Sequence, residues 1–186
     1  PGSSSVPAAF LSAIAAGARR GVIFKGGVHL EQMAEIKAVA FDKTGTLTAG
    51  KPAVTDIHTF NGYSEDELLR AAATVEARSE HPLSRAVRQA AASRGLALGE
   101  VEEFSADMGQ GVSGVVDGVL VRVGKRRYIE ECAGHPPADL LAVHDRLEAE
   151  GKTVLLACNS GDWMGLLAVA DQLRPQSATI VDELHA

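Results

Sequence analysis

Apolar positions recur along this chain first at helical and then at alternating spacing, and each change marks an element. Ala8 to Arg20 is an Ala-rich helical stretch with Ser5 as its cap, Pro7 in its first turn and Gly21 as its stop. A short helical piece around Leu30 to Ala34 leads into Ala38-Val39-Ala40-Phe41, a continuous apolar run with the length of a buried parallel strand. Lys51-Pro52 marks a break, and Ala53 to Phe60 reads as another strand. Ser64 and Glu67 have the spacing of a capping box, with Leu68, Ala71, Ala72 and Val75 at helical intervals behind them. His81-Pro82 opens a second helix whose apolar stripe is Leu83, Ala86, Val87, Ala90 and Ala91, closed by Gly95.

Alternation then takes over. Val101 to Ser105 reads as a strand, and Gly111 to Val116 with Val119 to Val123 as a hairpin on the turn Asp117-Gly118. Helices about Lys125 to Cys132 and Ala138 to Glu150 precede strands Thr153 to Ala157 and Met164 to Ala170, which meet across Asn159 to Asp162; a last helix runs Pro175 to Leu184. The layout is α/β, with an α+β block of roughly 115 residues, antiparallel in its sheet, interrupting another unit. The expected divisions are 1–51, 52–170 and 171–186, with hinges at Lys51-Pro52 and Asp171 to Pro175, both stiffened by proline.

Composition narrows the classes. Of the 186 residues, 46% are hydrophobic and 23% charged, which is globular and not low-complexity. Lys+Arg at 18 against Asp+Glu at 24 gives a net charge of -6, which argues against a nucleic-acid surface. Cys132 and Cys158 form no C-x-x-C pair, so neither a disulfide framework nor a zinc ribbon is indicated, and the expected compartment is reducing. The longest apolar stretch, Val6 to Ala18, falls short of the ~20 residues of a membrane span, and Pro1 to Ser5 lacks the basic start of a signal peptide.

The chemistry concentrates in Asp42 to Thr48, DKTGTLT, directly after the Ala38 to Phe41 run. A carboxylate at a strand's carboxyl end lies where α/β sheets bind ligands, and it can attack phosphorus to form an aspartyl-phosphate. Gly45 lets the backbone approach a phosphate, Thr46 can hydrogen-bond its oxygens, and Asp42 with the Thr44 carbonyl offers hard oxygen ligands for Mg²⁺. For Asp42 alone the plainer reading is an Asx-type cap at the start of a turn. Two other motifs fail on context: Gly109 to Gly114 has the G-x-G-x-x-G spacing but enters a hairpin and not a helix, and Gly151-Lys-Thr153 lacks the first Gly of a P-loop because Arg146 stands there. Gly151 reads instead as a helix C-cap. Glu76 lies one residue past its apolar stripe, where its charge opposes the helix macrodipole by up to ~1 kcal/mol.

At DKTGTLT the sequence resembles the P-type ATPases. The likeness narrows to their heavy-metal-transporting branch at Ser79-Glu80-His81-Pro82-Leu83, at Gly109 to Gly114, at Lys25-Gly26-Gly27 with Leu30-Glu31, and at Asp171 with Arg174-Pro175. The resemblance implies a partial haloacid-dehalogenase-like phosphorylation domain interrupted by an α+β nucleotide-binding domain, whose antiparallel sheet is flanked by helical hairpins. It puts Asp42, Lys43, Thr44 and Thr46 in the catalytic set, with Asp42 and Thr44 also holding Mg²⁺. It implies an ATP site in which Glu76 meets the adenine amino group and His81 stacks on or hydrogen-bonds the base; Gly109, Gly111, Val112, Gly124 and Lys125 complete the site, Lys125 standing where the family often has Asn. Segments of the family's actuator domain, membrane helices and downstream Mg²⁺ loop do not occur in these residues, so the chain is expected to be a monomeric soluble fragment, inactive alone. Its partners would be ATP or ADP and the actuator and transmembrane domains of one membrane-bound pump. Phe24 to Gly27 and Pro7-Ala8-Ala9 look more like zinc, cadmium or cobalt pumps than copper pumps. The rivals are a free phosphatase of the same superfamily, which would have a second Asp where Thr44 stands, and a nucleotide-binding module without catalysis.

Overall fold

The structure, a computed structural model, describes residues 5 to 185, with side chains from residue 8 onward. Residues 1–4 and the side chains of residues 5–7, the expected Ser5 cap among them, lie outside that description. The chain divides into two compact units, Pro1–Phe41 and Asp42–Ala186. No helix among the described residues is long and apolar enough to cross a membrane.

In the first unit, α1 (Ser5–Arg19) and α2 (Gly27–Met33) are joined by a loop whose Phe24 ring closes on α1. A Cβ on Gly17 would lie 2.7 Å from that ring, so the absent side chain is what admits it. The expected strand Ala38 to Phe41 does not form: the segment has no ladder, and Val39 and Phe41 are 52% and 39% exposed. An apolar run becomes a strand only when neighbours supply hydrogen bonds, and among the described residues no strand pairs with it.

The second unit is a six-stranded antiparallel sheet between two helical layers. In chain order its elements are β1 (Thr48–Thr59), α3 (Glu65–Val75), α4 (Pro82–Ser93), β2 (Val101–Asp107), β3 (Gly111–Val116), β4 (Val119–Gly124), α5 (Arg126–Ala133), α6 (Ala138–Ala149), β5 (Thr153–Asn159), β6 (Asp162–Leu173) and α7 (Ser177–His185). The strand order is β1-β6-β5-β4-β3-β2. This is the antiparallel sheet with flanking helix pairs that the sequence predicts. Alternation sorts the strands' side chains: Leu155, Ala157, Leu167 and Val169 join Leu68, Leu69, Val75 and Val87 under α3 and α4. Val154, Leu156, Cys158, Leu166 and Ala168 join Ile129, Leu140 and Leu147 under α5 and α6. Each fully buried Leu or Ile contributes about 1.5–3 kcal/mol, so both faces must be covered for the sheet to persist.

Local chemistry sets the boundaries. The Ser64 hydroxyl accepts from the Glu67 N–H at 3.2 Å while the Glu67 carboxylate accepts from the Ser64 N–H at 2.8 Å, the reciprocal capping box. α4 and α6 end with paired main-chain bonds, Leu96 N–H to the Ala91 carbonyl and Lys152 N–H to the Leu147 carbonyl, which makes Gly151 the expected helix stop. The β3–β4 hairpin turns on Asp117 and Gly118, with φ of 53° and 79°, in the register Val116 to Val119. The expected break at Lys51-Pro52 is instead a register shift within β1, which runs on to pair Pro52 with Asp171 and Thr48 with Leu173. β1 is an edge strand, where a proline's missing N–H costs no ladder bond.

Candidate functional site

Asp42 leads into a wide turn at Lys43–Leu47, and its own backbone is extended, with φ -66° and ψ 136°. Its side chain makes no capping bond, which removes the plain Asx-cap reading. Asp42, Lys43, Thr44 and Thr46 are all exposed. Thr44 is also extended, and Gly45 takes the left-handed φ of 79° that lets the turn reverse. The Lys43 ammonium reaches toward the loop after α6, 4.0 Å from where a Gly151 Cβ would stand.

The turn is held from a distance by Asp171 and Arg174. The buried Thr48 hydroxyl donates to the Asp171 carboxylate and accepts from the Gly45 N–H at 3.1 Å. Asp171 also accepts from the Gly50 and Lys51 N–H groups at 3.1 and 2.8 Å. Arg174 donates from Nε to the Thr48 carbonyl and from a terminal nitrogen to the Gly45 carbonyl, each at 3.0 Å, and the Ser177 hydroxyl donates to the Leu47 carbonyl at 2.7 Å. The two segments marked as hinges in sequence thus form one clamp behind the Asp42 loop. The Thr48 hydroxyl, backed by the two N–H groups, holds the Asp171 carboxyl below the usual carboxylate range. Its folded form therefore binds its proton more weakly than the unfolded form. The clamp is at full strength above the ordinary carboxylate value of about 3.9 and is lost as pH falls through the lowered one.

Glu76 caps the end of α3, where a short turn, Glu76–Arg78, begins; its side chain is 5% exposed. The Ser84 hydroxyl donates to its carboxylate at 2.5 Å. Because that hydroxyl has one proton, the 2.7 Å contact between Ser84 and Ser79 is donated by Ser79, whose oxygen in turn accepts from the His81 N–H at 3.3 Å. Glu76 and His81 are therefore linked through two serines that the sequence reading did not single out. Ser84 had a signal: it shares a helical face with Val87 and Ala91, yet it is polar. His81 is the N-cap of α4, its Nδ1 accepting from the Leu83 N–H at 3.2 Å ahead of Pro82. The ring is otherwise exposed, with Nε2 turned to no capping role.

Burial pushes the Glu76 carboxyl above its ordinary value, opposed by the Ser84 bond and by the positive charges of His81 and Arg88. The folded form then holds its proton more tightly than the unfolded one, so this contribution to stability is complete below about pH 4 and is lost as pH rises through the raised value. Glu76→Gln is expected to melt a few degrees above the parent at neutral pH, on the order of 1 kcal/mol, and to match it near pH 4. Thermal melts across that range check this, and a variant less stable at neutral pH would contradict it.

The glycine positions separate by environment. Gly109 has φ of 74° and open space where a Cβ would be. Gly111 pairs with Gly124 across β3 and β4, and a Cβ on Gly111 would stand 2.4 Å from the Val123 carbonyl and 2.6 Å from the Tyr128 ring. The close approach at Gly111 and Gly124 thus serves the protein's own packing of Tyr128 on the hairpin. Val112 puts its side chain into the core with Val123, leaving only its backbone for a ligand. Lys125 is exposed at the N-cap of α5, its N–H donating to the Gln110 carbonyl at 2.8 Å, so the Gly109 loop and the start of α5 adjoin.

The haloacid dehalogenase-like hydrolase family matches residues 36–186. The zinc/cadmium/lead-transporting P-type ATPase of Escherichia coli K12 is 44% identical over 183 residues, 98% of this chain and 24% of that protein. The copper-exporting P-type ATPase B of Archaeoglobus fulgidus is 42% identical over 169 residues, covering 91% of this chain and 24% of its own length. The crystal structure of a zinc-transporting PIB-type ATPase in the E2.Pi state superposes with a TM-score of 0.83 at 43% identity, over 96% of this chain and 29% of that one. The chain spans about a quarter of the length of these curated relatives.

Proposed function

The chain belongs to the haloacid dehalogenase-like hydrolases and is homologous to heavy-metal P-type ATPases, and from that premise we propose that it is the nucleotide-binding and phosphoryl-accepting part of an ATP-driven metal pump. The observation that carries this reading is the Asp42 loop, an uncapped, exposed carboxylate on a turn clamped by Asp171 and Arg174. In this reading residues 1–51 and 171–186 are parts of a phosphorylation domain, and 52–170 is a nucleotide-binding domain inserted between them. The pump would sit in the cell membrane with this part on its cytoplasmic side, coupled to actuator and transmembrane domains of the same chain. This portion alone would turn over ATP negligibly.

Asp42 attacks the γ-phosphorus of ATP through a carboxylate oxygen; an acyl-phosphate bond forms as the bond to the ADP oxygen breaks. Thr46 donates to the phosphate oxygens and Gly45 admits the backbone. The Asp42 carboxylate and the Thr44 carbonyl, on extended backbone, are a hard-oxygen set that fits Mg²⁺, which neutralises phosphate charge when bound. Thr44 supplies no second carboxylate to act as general base, so the phosphoenzyme persists; this favours a pump over a free phosphatase. Phe24 to Gly27 and the Pro7-Ala8-Ala9 approach favour zinc, cadmium or cobalt over copper as the transported ion. A full-length pump carrying this segment should trap label from γ-labelled ATP that is acid-stable and hydroxylamine-sensitive; a binding module would trap none.

Nucleotide is gripped at the adenine end. No P-loop cradles the triphosphate, whereas buried Glu76 is an acceptor for the amino group, the exposed His81 ring a stacking surface, and Gly109 an open approach. A hydrogen-bonding group left unpaired costs about 1–3 kcal/mol, so ATP is expected to bind about 5- to 150-fold more tightly than GTP. His81→Ala should weaken ATP and ADP alike. Amide shifts centred on Asp42 with none near Glu76, His81 or Gly109, or equal affinity for GTP, would place the adenine elsewhere.

A further inference from the structure

Cys132 and Cys158 are the chain's two cysteines, both free, and no step above uses either. Cys158 lies on β5 with no exposed surface, in the core under α5 and α6. Cys132, next to last in α5, is half-buried and packs against the same core. Cys132 thus packs against the cluster that holds Cys158, near enough for its thiol to push the Cys158 thiol up. A Cβ on Gly161, in the β5–β6 turn, would stand 3.5 Å from the Cys132 carbonyl. Arg122 pairs across the strands with Cys158 and lies over the Tyr128 ring, 5.5 Å from its centroid, so a guanidinium charge shares that face of the sheet.

We propose that Cys132 and Cys158 are a modification site, a dithiol that hydrogen peroxide closes to an intrachain disulfide joining the end of α5 to β5. Cys132 reacts first because it is the thiol that solvent reaches. Its sulfur attacks a peroxide oxygen, the O–O bond breaks, and the departing hydroxide leaves as water once protonated; Cys132 becomes a sulfenic acid. The Cys158 sulfur then attacks the Cys132 sulfur, the S–S bond forms, the S–O bond breaks, and the Cys158 proton leaves with that oxygen as a second water. Two electrons pass from the thiols to one peroxide. Burial, and then the hydrogen bond and charge of Cys132, push the Cys158 thiol up to about 12, which bars it from reacting first; oxidation of Cys132 removes the neighbour's share of that rise.

The test treats the 186-residue chain with hydrogen peroxide, alkylates it in denaturant and measures mass. The expected result is a loss of about 2 Da, both cysteines protected, a crosslinked Cys132–Cys158 peptide, and full reversal by dithiothreitol. Cys132→Ser should leave Cys158 reduced and alkylatable, and Cys158→Ser should leave Cys132 as a dimedone-reactive sulfenic acid. Accumulation of Cys132 sulfinic acid in the parent chain with Cys158 still alkylatable, or crosslinks only between chains, overturns the proposal. The deciding mass is read on the unsubstituted chain, so it does not depend on the folding of Cys158→Ser.

Discussion

Asp42→Asn, in the full-length pump, is expected to lower phosphorylation by ATP by at least about 10⁴-fold while nucleotide affinity stays within about twofold. The amide keeps the size of the side chain, and the native carboxylate makes no capping bond whose loss would disturb the turn. What goes is the anionic oxygen proposed to attack phosphorus. Acid-quenched incorporation of labelled phosphate reads the first effect and nucleotide titration the second. Persistent labelling of the variant would reject Asp42 as nucleophile; loss of both properties together would mean that the substitution had unfolded the site.

Asp171→Asn is expected to slow the same phosphorylation by about 100-fold, with nucleotide affinity again unchanged, because a displacement of about an ångström at a reacting group is enough for that loss. Asp171 accepts from the Thr48 hydroxyl and from the Gly50 and Lys51 N–H groups, and an amide can present its acceptor to only part of that set while turning a donor toward the rest. Thr48→Ser, which keeps the hydroxyl, should retain most of the rate. Rapid-quench measurement of the phosphorylation rate, alongside affinity, separates a misplaced loop from a lost nucleotide site. A rate equal to the parent's would show that the clamp does not govern Asp42.

Most of the sheet and its helices were legible because their signals are local. The reciprocal bonds of Ser64 and Glu67, the Asp117-Gly118 turn and the stop at Gly151 each depend on residues within a few positions of one another, and each stands where the pattern puts it. Ala38 to Phe41 shows the limit of that logic. Its composition suits a strand, but strand hydrogen bonds come from a neighbour, and no local pattern supplies one. Pro52 shows the opposite error: read as a break, it is tolerated inside β1 because that strand lies at the sheet's edge.

The candidate site divides along the same line. Asp42 to Thr48 is contiguous, so its chemistry can be read directly from residue types: a carboxylate, a glycine and hydroxyls around one turn. Spacing alone could not decide whether Asp42 caps that turn, nor say that Asp171 and Arg174, more than 120 positions away, would hold it. Glu76 stood out by its charge at a helix end, while its burial and its bond to Ser84 follow from how α4 packs back on the turn after α3. Likewise Gly111 was placed in a ligand site, but only the strand register and α5 reveal that Tyr128 makes the close approach there. From residue order alone came the candidate groups for chemistry and most of the helices and hairpins, since these depend on covalent identity and short-range hydrogen bonding. Tertiary structure alone decided which of those groups are desolvated, clamped or left open, because burial and long-range contacts exist only once distant segments close on one core.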